Sequence, residues 1–357
     1  MKGVIFILAP YPQGHAPSQR FRFEQYISLW KEKGYGVEFY PFYSYKAWQT
    51  LYTKGQPIRK MFVVIAACLN RCSLLFRLRR ADYIFIHREI AHVGPPFFEW
   101  FIAKVLRRKY VYDFDDAIWL PNYSATNASF HRIKAYWKIP YCIRWAHHVQ
   151  AGNSYLADYA KQFNPSVEVV PTTIDMSYHR YDSKERQKST LSIGWTGTHT
   201  TVRYLRDLID VLQRLSERFE FQMLVISNEP PDFQLAGLHF IPWNKTTEME
   251  DLAKIDIGVM PLEDDIWAKG KCGFKGLQYM ALGIPTIMSP VGVNPSIVSD
   301  GVNGYLASTP DEWEQKLILL LESATLRKNM GECGKQTVID KFSVEANSPN
   351  YLNLFKS

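Results

Sequence analysis

Short apolar runs alternate with amphipathic stretches along almost the whole chain. Residues 4–9, 37–40, 83–86, 109–112 and 167–170, and a run opening at His147-His148, predict buried strands in the first half. Residues 191–195, 221–227, 239–242, 255–260 and 286–288 predict a second set. These runs are continuously apolar rather than alternating, as expected of parallel strands covered on both faces. Between them, apolar residues recur at helical spacing. Phe23, Tyr26, Ile27 and Trp30 share one face, as do Val202, Leu205, Leu208, Ile209, Leu212 and Leu215. Leu277, Met280 and Ala281 open a further helix that Gly283 and Pro285 stop, and Trp313, Leu317, Leu320 and Leu321 mark another. Strand, loop, helix and strand in repetition define an α/β chain built from βαβ units.

The pattern breaks once. Residues 178–190 are polar and charged without periodicity, and read as a linker. The expected domains are residues 1–178 and 185–341, with a tail, 342–357, that packs on the first domain. A chain of 357 residues has room for two such cores. Charge divides along the same line. Residues 1–180 carry 24 Lys and Arg against 12 Asp and Glu, whereas residues 181–357 carry 18 against 23. The first half is therefore basic and suited to anionic lipid or phosphorylated ligands. No nucleic-acid partner is expected, because no zinc-finger, helix-turn-helix or RNA-binding signature occurs. The 5 cysteines are scattered and form no Cys-x-x-Cys pair, which points to reduced thiols in a cytosol. The N-terminal apolar run is too short for a signal peptide and reads as the first strand.

The chemistry concentrates in KCGFKGLQYMALGIPTIMSPVGVNPSIVSDGVNGYL, residues 271–306. A strand, a glycine-rich loop and a helix N-terminus create an anion site, because free N–H groups and the helix dipole both favour negative charge. Lys275 falls in the first helical turn, where a cation opposes the dipole unless a bound anion compensates it. Lys271, Gly273 and Phe274 frame the same loop, and Gln278 lies on the same helix face as Lys275. Arg203 repeats the anomaly after the Thr196-Gly197-Thr198 turn. Arg20 and Arg22 repeat it again if Ser18 caps the first helix. That helix follows a loop with Gly14 and His15. His87 ends one strand, and Asp113-Phe114-Asp115-Asp116 ends the next, at the carboxyl edge where open α/β sheets bind ligands.

The 271–306 block resembles the donor-binding segment of glycosyltransferase family 4, the group 1 type. The loop and Ser18-Gln-Arg20-Phe-Arg22 are similar to the first loop of many such enzymes, and Pro171-Thr-Thr-Ile-Asp175 to the segment that closes their first domain. The resemblance implies a GT-B fold, two Rossmann-like domains facing a cleft. It implies retaining transfer of a sugar from a nucleoside-diphosphate sugar to a glycan or lipid-linked acceptor in cell-surface polysaccharide synthesis. The family's Glu-x7-Glu motif is altered here to Gly270 and Gln278. On this reading Lys275, Arg203, Asp115 and Asp116 are catalytic. Gly197, Thr198, Lys271, Gly273, Phe274 and Gln278 hold the donor, and Gly14, His15, Arg20, Arg22 and His87 the acceptor. No metal and no cofactor beyond the donor are expected. The leaving phosphate takes the acceptor proton in that family, so no protein base is required. Three rivals stand beside it: a metal-dependent transferase with Asp113-Phe114-Asp115 as an Asp-x-Asp site, a sugar-nucleotide epimerase on the same scaffold, and a non-catalytic binding protein.

Residues 58–80 differ from the rest. An apolar centre, 61–69, is flanked by Arg59, Lys60, Arg71, Arg77, Arg79 and Arg80. This composition suits either an ordinary domain helix or a basic helix lying in an anionic membrane surface. The apolar centre is shorter than a bilayer requires, so no membrane-spanning helix is expected. The expected location is the cytoplasm, with peripheral attachment to the inner membrane face through this helix.

Overall fold

In the computed structural model the apolar runs of the first half form one parallel sheet. Its strands are β1 (Val4–Ala9), β2 (Gly36–Pro41), β3 (Tyr83–His87), β4 (Val111–Phe114), β5 (His148–Ala151) and β6 (Val167–Val169), in the order β2-β1-β3-β4-β5-β6. The second half repeats the arrangement with β7 (Leu191–Gly197), β8 (Phe221–Ser227), β9 (Leu238–Pro242), β10 (Ile257–Met260), β11 (Thr286–Met288) and β12 (Tyr305–Leu306), in the order β12-β11-β10-β7-β8-β9. The structure describes residues 2–53, 55–121, 134–181 and 190–355; residues 182–189 of the expected linker lie outside them. The chain divides into two units, Met1–Thr172 with Ser348–Ser357, and Thr173–Asn347.

Helices cover the sheets of each unit. In the first unit they are α1 (Pro17–Arg20), α2 (Ile27–Glu32), α3 (Tyr45–Tyr52), α4 (Pro57–Arg77), α5 (Phe97–Trp100), α6 (Ile139–Trp145) and α7 (Ser154–Lys161). In the second they are α8 (Ile209–Ser216), α9 (Glu248–Leu252), α10 (Phe274–Ala281), α11 (Asn294–Ile297), α12 (Pro310–Glu322) and α13 (Ala324–Thr337); α14 (Val344–Asn353) follows. The second unit's core is the predicted one: Ile193, Trp195, Val225, Leu205, Leu212, Leu215, Trp313 and Leu317 pack together. Burying each such aliphatic side chain contributes about 1.5–3 kcal/mol.

Three local expectations change. The first helix is broken: Ala16 rather than Ser18 occupies the N-cap position, Arg20 closes α1, and a 3-10 turn at Glu24–Tyr26 precedes α2. Pro17 fixes the start, because its missing N–H costs nothing in a first turn. The break lets Gln19 and Glu24 pin the preceding loop: the Gln19 amide donates to Tyr11 O at 3.0 Å and to Glu24 Oε1 at 2.9 Å. Second, β4 runs through Asp113, so this carboxylate belongs to the buried strand and not to the loop that holds Asp115 and Asp116. Third, α4 continues past Leu69. With the 3-10 turn Leu78–Arg80 it makes a helix of 24 residues, long and apolar enough to cross a membrane by length and composition alone. Asn70 and Arg71 hide that continuity in the sequence. The helix is nevertheless docked on its unit through Ala67, Arg71, Leu74 and Leu78, all buried.

The tail divides: Phe342, Ser343 and Asn347 are buried in the second unit, and only from Ser348 on does the tail belong to the first. The Tyr351 ring stacks on Tyr26 at 3.9 Å, its carbonyl accepts from Trp30 Nε1 at 3.2 Å, and Phe355 sits among Trp30, Tyr35 and Tyr83. Large buried aromatics are expensive to truncate, so Phe355→Ala is expected to lose about 3–5 kcal/mol in urea unfolding. A loss below about 1 kcal/mol would show that the tail packs only loosely.

Candidate functional site

Two polar clusters form at the carboxyl edges of the two sheets. In the second unit, β7 ends at Trp195-Thr196-Gly197 against the start of α10. Tyr279, on α10, locks the pair together: the Thr196 N–H donates to its hydroxyl at 2.8 Å. Gly273 caps the helix with φ of 67°, a left-handed conformation that suits glycine, and a Cβ there would lie 2.2 Å from Ile297. Gly197 is required for space, because a Cβ would stand 2.7 Å from Lys275 Nζ and closer still to the Trp195 ring.

Lys275 occupies the first turn of α10 as predicted. Its ammonium lies 4.2 Å from the Trp195 ring centroid and 3.3 Å from Thr201 Oγ1. Among the described residues no carboxylate pairs with it. The side chain is half-buried. Burial, reinforced by the nearby charge of Lys271, pushes the Lys275 pKa down to about 7. Lys271 itself lies over the Trp267 ring at 4.8 Å. Gln278 is buried, and its amide nitrogen has no hydrogen-bond partner. Asn294 Oδ1, close to Gly273, is buried and unpartnered as well. A helix N-terminus, an ammonium without a carboxylate partner among the described residues and two unmet amide groups are features suited to an anion bearing hydroxyls. Gly270, at the altered first motif position, ends a 3-10 turn and is buried.

Arg203 is the second residue of a 3-10 turn, Val202–Leu208, that leads into α8. Its guanidinium is more than half exposed, donates to Tyr204 Oη at 3.0 Å and approaches Asp265 at 3.9 Å. The Asp265 contact ties it to the loop that precedes Lys271. Thr198 holds the turn between them, with its N–H on Thr201 Oγ1 at 3.1 Å. Phe274 opens α10.

In the first unit the expected acceptor group is divided. His87, Asp113 and Arg22 come together inside the protein. Arg22 is fully buried, ion-paired with Asp113 and bonded to the Val170 carbonyl. His87 Nδ1 lies 2.7 Å from the other Asp113 oxygen. Burial alone would raise the Asp113 pKa, but Arg22 and His87 outweigh it and hold the carboxyl below the usual range. Arg22 thus binds a carboxylate of its own unit and not a ligand on a helix end. Both Asp113 oxygens are engaged, which removes the geometry an Asp-x-Asp metal site needs. Among the described residues no group of three or more His, Cys, Asp or Glu side chains is placed to hold a metal. Asp115 and Asp116 face Arg88, at 2.7 and 3.7 Å. Arg88 adopts φ of 59°, a strained backbone held by the Asp113 carbonyl and the Tyr112 hydroxyl. His87 Nε2 is buried, 3.9 Å from Asp115. Gly14 donates to Glu24 at 2.7 Å, His15 packs against Tyr45 and Trp48, and Arg20 lies over Phe21.

Residues 190–323 match the family model described as glycosyl transferases group 1. The chain is 32% identical over 89 residues to N-acetyl-alpha-D-glucosaminyl L-malate synthase of Bacillus anthracis, which is 24% of this chain and 23% of that protein. It is 39% identical over 75 residues to an uncharacterized glycosyltransferase of Methanocaldococcus jannaschii, 20% of this chain and 21% of the other. These matches span less than a quarter of the curated relatives' own length. The fold is similar over the full length to a glycosyltransferase from Rickettsia africae, with TM-score 0.69 and 12% identity, covering 99% of this chain and 97% of that one. It is similar to Anabaena HepE, solved with UDP and glucose, with TM-score 0.67 and 15% identity, covering 99% and 100%.

The Lys275 environment has a pH signature. Its pKa in the fold lies below the ordinary value of 10.5, so the unfolded chain binds the extra proton between about pH 7 and pH 10. Lys275 therefore makes stability rise with pH across that window. In urea titrations Lys275→Met is expected to flatten the rise relative to the wild type. Parallel curves for the two proteins would show that the ammonium is not desolvated.

Proposed function

We propose that this chain is a group 1 glycosyltransferase with the GT-B fold that moves a sugar from a nucleoside-diphosphate sugar to a glycan or lipid-linked acceptor with retention of configuration. The observation that carries the reading is the Lys275 ammonium at the N-terminus of α10, in contact with Trp195 and Thr201 and without a carboxylate partner among the described residues. A diphosphate supplies the missing charge. Gln278 presents an unmet amide on the same helix, suited to a ribose hydroxyl. HepE, solved with UDP and glucose, shares the fold and supports a nucleotide-sugar donor.

In this reading the second unit holds the donor. As the bond to the sugar breaks, negative charge grows on the departing diphosphate. Lys275, Lys271, Arg203 and the α10 N–H groups stabilise that charge more than they stabilise the intact donor, which is the condition for acceleration. The acceptor hydroxyl's proton passes to the departing phosphate. The first unit supplies the acceptor surface, with Asp115 and Asp116 orienting hydroxyl groups beside Arg88. The positively charged donor site performs this chemistry without a metal. We assign the product to cell-surface polysaccharide synthesis.

The exposed face of α4 favours peripheral attachment to a membrane. Ile58, Phe62, Ile65, Leu69, Cys72 and Phe76 alternate four and three apart along one side, opposite the docked face. Phe76 is 80% exposed and Leu69 64%. Exposed Arg59, Arg77, Arg79 and Arg80 provide charge for anionic headgroups, and the exposed rings of Trp100 and Trp137 on the same unit suit a membrane interface. Free cysteines fit a reducing, cytoplasmic setting.

Two measurements follow. With the nucleotide identified by thermal shift against UDP, GDP and ADP, Lys275→Ala is expected to lower turnover about 10²- to 10³-fold, by analogy with oxyanion-hole donors, at unchanged or higher melting temperature. Arg203→Ala is expected to lose less. Near wild-type turnover in both, with lower melting temperatures, would make the residues structural. Co-sedimentation with vesicles is expected to rise with anionic lipid, fall with salt and drop in Phe62→Asp/Phe76→Asp. No adsorption to any vesicle, or self-association through the stripe in light scattering, would overturn the membrane assignment.

A further inference from the structure

A cavity of about 270 Å³ lies in the first unit, between α4 and the end of β2, and none of its lining residues is among those assigned above to sugar transfer. Tyr40, Asn70, Arg71, Ser73, Leu74 and Arg77 line it. Its volume falls near the low end of small-molecule sites, roughly 300–1,000 Å³. Its position is at the carboxyl edge of the sheet: Arg71 Nη2 donates to the Ala9 carbonyl at the end of β1 at 2.9 Å, and Nε to the Ile90 carbonyl beyond β3 at 3.1 Å. Ligands of open α/β sheets bind at that edge.

The charge in this cavity is unusual. Arg71 is 3% exposed, yet its partners are neutral carbonyls, and no carboxylate of the described residues pairs with it. Burying a guanidinium without a counter-ion is costly, and burial lowers its pKa to about 9 although Glu99 offsets part of the effect. Two of its nitrogens, Nε and Nη2, are committed to carbonyls, which leaves Nη1 for a ligand. Arg77 stands beside the Tyr40 hydroxyl, which in turn bonds Glu38. Arg71 and Arg77 both line the cavity, no carboxylate of the described residues does, and the Asn70 amide adds further donors. Leu74, Ala67 and Pro41 make the remainder of the wall apolar.

We propose that this cavity binds an organic phosphate, its phosphate held by Arg71 and Arg77 and its organic part against the Leu74 wall. Guanidinium forks match phosphate oxygens, and such a ligand neutralises Arg71 where the protein does not. The phosphate can come from the headgroup of a membrane lipid or from a soluble phosphorylated compound. The site does not require the sugar-transfer reading. The lipid source alone rests on the membrane assignment of α4.

Calorimetry on the full chain tests the site with dihexanoyl phosphatidic acid kept monomeric, glycerol 3-phosphate and inorganic phosphate, and with dihexanoyl phosphatidylcholine as control. Saturable binding of a phosphate monoester is expected, weakened about tenfold or more by Arg77→Ala through the loss of a charge-assisted contact. Ser73→Trp, which fills the cavity without removing charge, is expected to weaken it similarly, both variants melting as the wild type does. Phe62→Asp lies on the exposed stripe, more than a turn before Ala67, the first cavity-lining residue of α4, and is expected to leave this binding intact, so failure of the membrane assignment is separable. Preference for phosphatidic acid over glycerol 3-phosphate identifies a lipid source; equal affinity identifies a soluble one. Absence of saturable binding by any phosphate, or equal binding in Arg77→Ala and Ser73→Trp, would overturn the proposal.

Discussion

The ammonium of Lys275 is the constraint on which the second unit's site depends. It sits where three unfavourable terms add: a helix N-terminus that repels cations, partial burial and the neighbouring charge of Lys271. Among the described residues only the Trp195 ring and the Thr201 hydroxyl compensate it. Neither is a counter-ion. Much of the local architecture serves to keep the group there. Gly197 leaves room for it, Gly273 gives the helix its sharp start, and Tyr279 fastens α10 to the end of β7. This electrostatic deficit, kept at such structural expense, is what the proposed anion site rests on.

The first unit solves the opposite problem. Its buried Arg22–Asp113 pair is neutralised within the unit, with His87 on the second Asp113 oxygen, and the partly exposed Arg88 takes Asp115 and Asp116. This network is rigid rather than poised. Removing one partner of such a buried pair typically costs about 3–5 kcal/mol, because the other charge is left alone in a dry interior. The contrast explains why the anion-binding reading attaches to Lys275 and, within the first unit, to Arg71, whose partners are uncharged.

Much of this was legible in the sequence. Continuous apolar runs located the strands, and β8 and β11 fall where the pattern put them, because parallel strands buried on both faces leave little ambiguity in register. Lys275 stood out because a cation in a first turn contradicts the dipole. Its partners did not: nothing in spacing says that Lys275 reaches Trp195, eighty residues earlier, or that Tyr279 binds the Thr196 N–H. Arg22 misled for a related reason. Its charge was visible, but the buried carboxylate that claims it is ninety-one residues away. The length of α4 was hidden by Asn70 and Arg71, which interrupt the apolar run but point toward the unit's own cavity. Tertiary pairing, not local preference, decides each of these cases.

The central claim is that Lys275 lacks a counter-ion until a nucleoside diphosphate provides one. Binding must then return its pKa toward the ordinary range, and protons must be taken up from solution. Titration calorimetry at pH 8 in buffers of different ionisation enthalpy counts those protons. The account predicts uptake of a large fraction of one proton per nucleoside diphosphate bound, abolished in Lys275→Met. Equal binding enthalpies across buffers, or the same uptake in the variant, would contradict it.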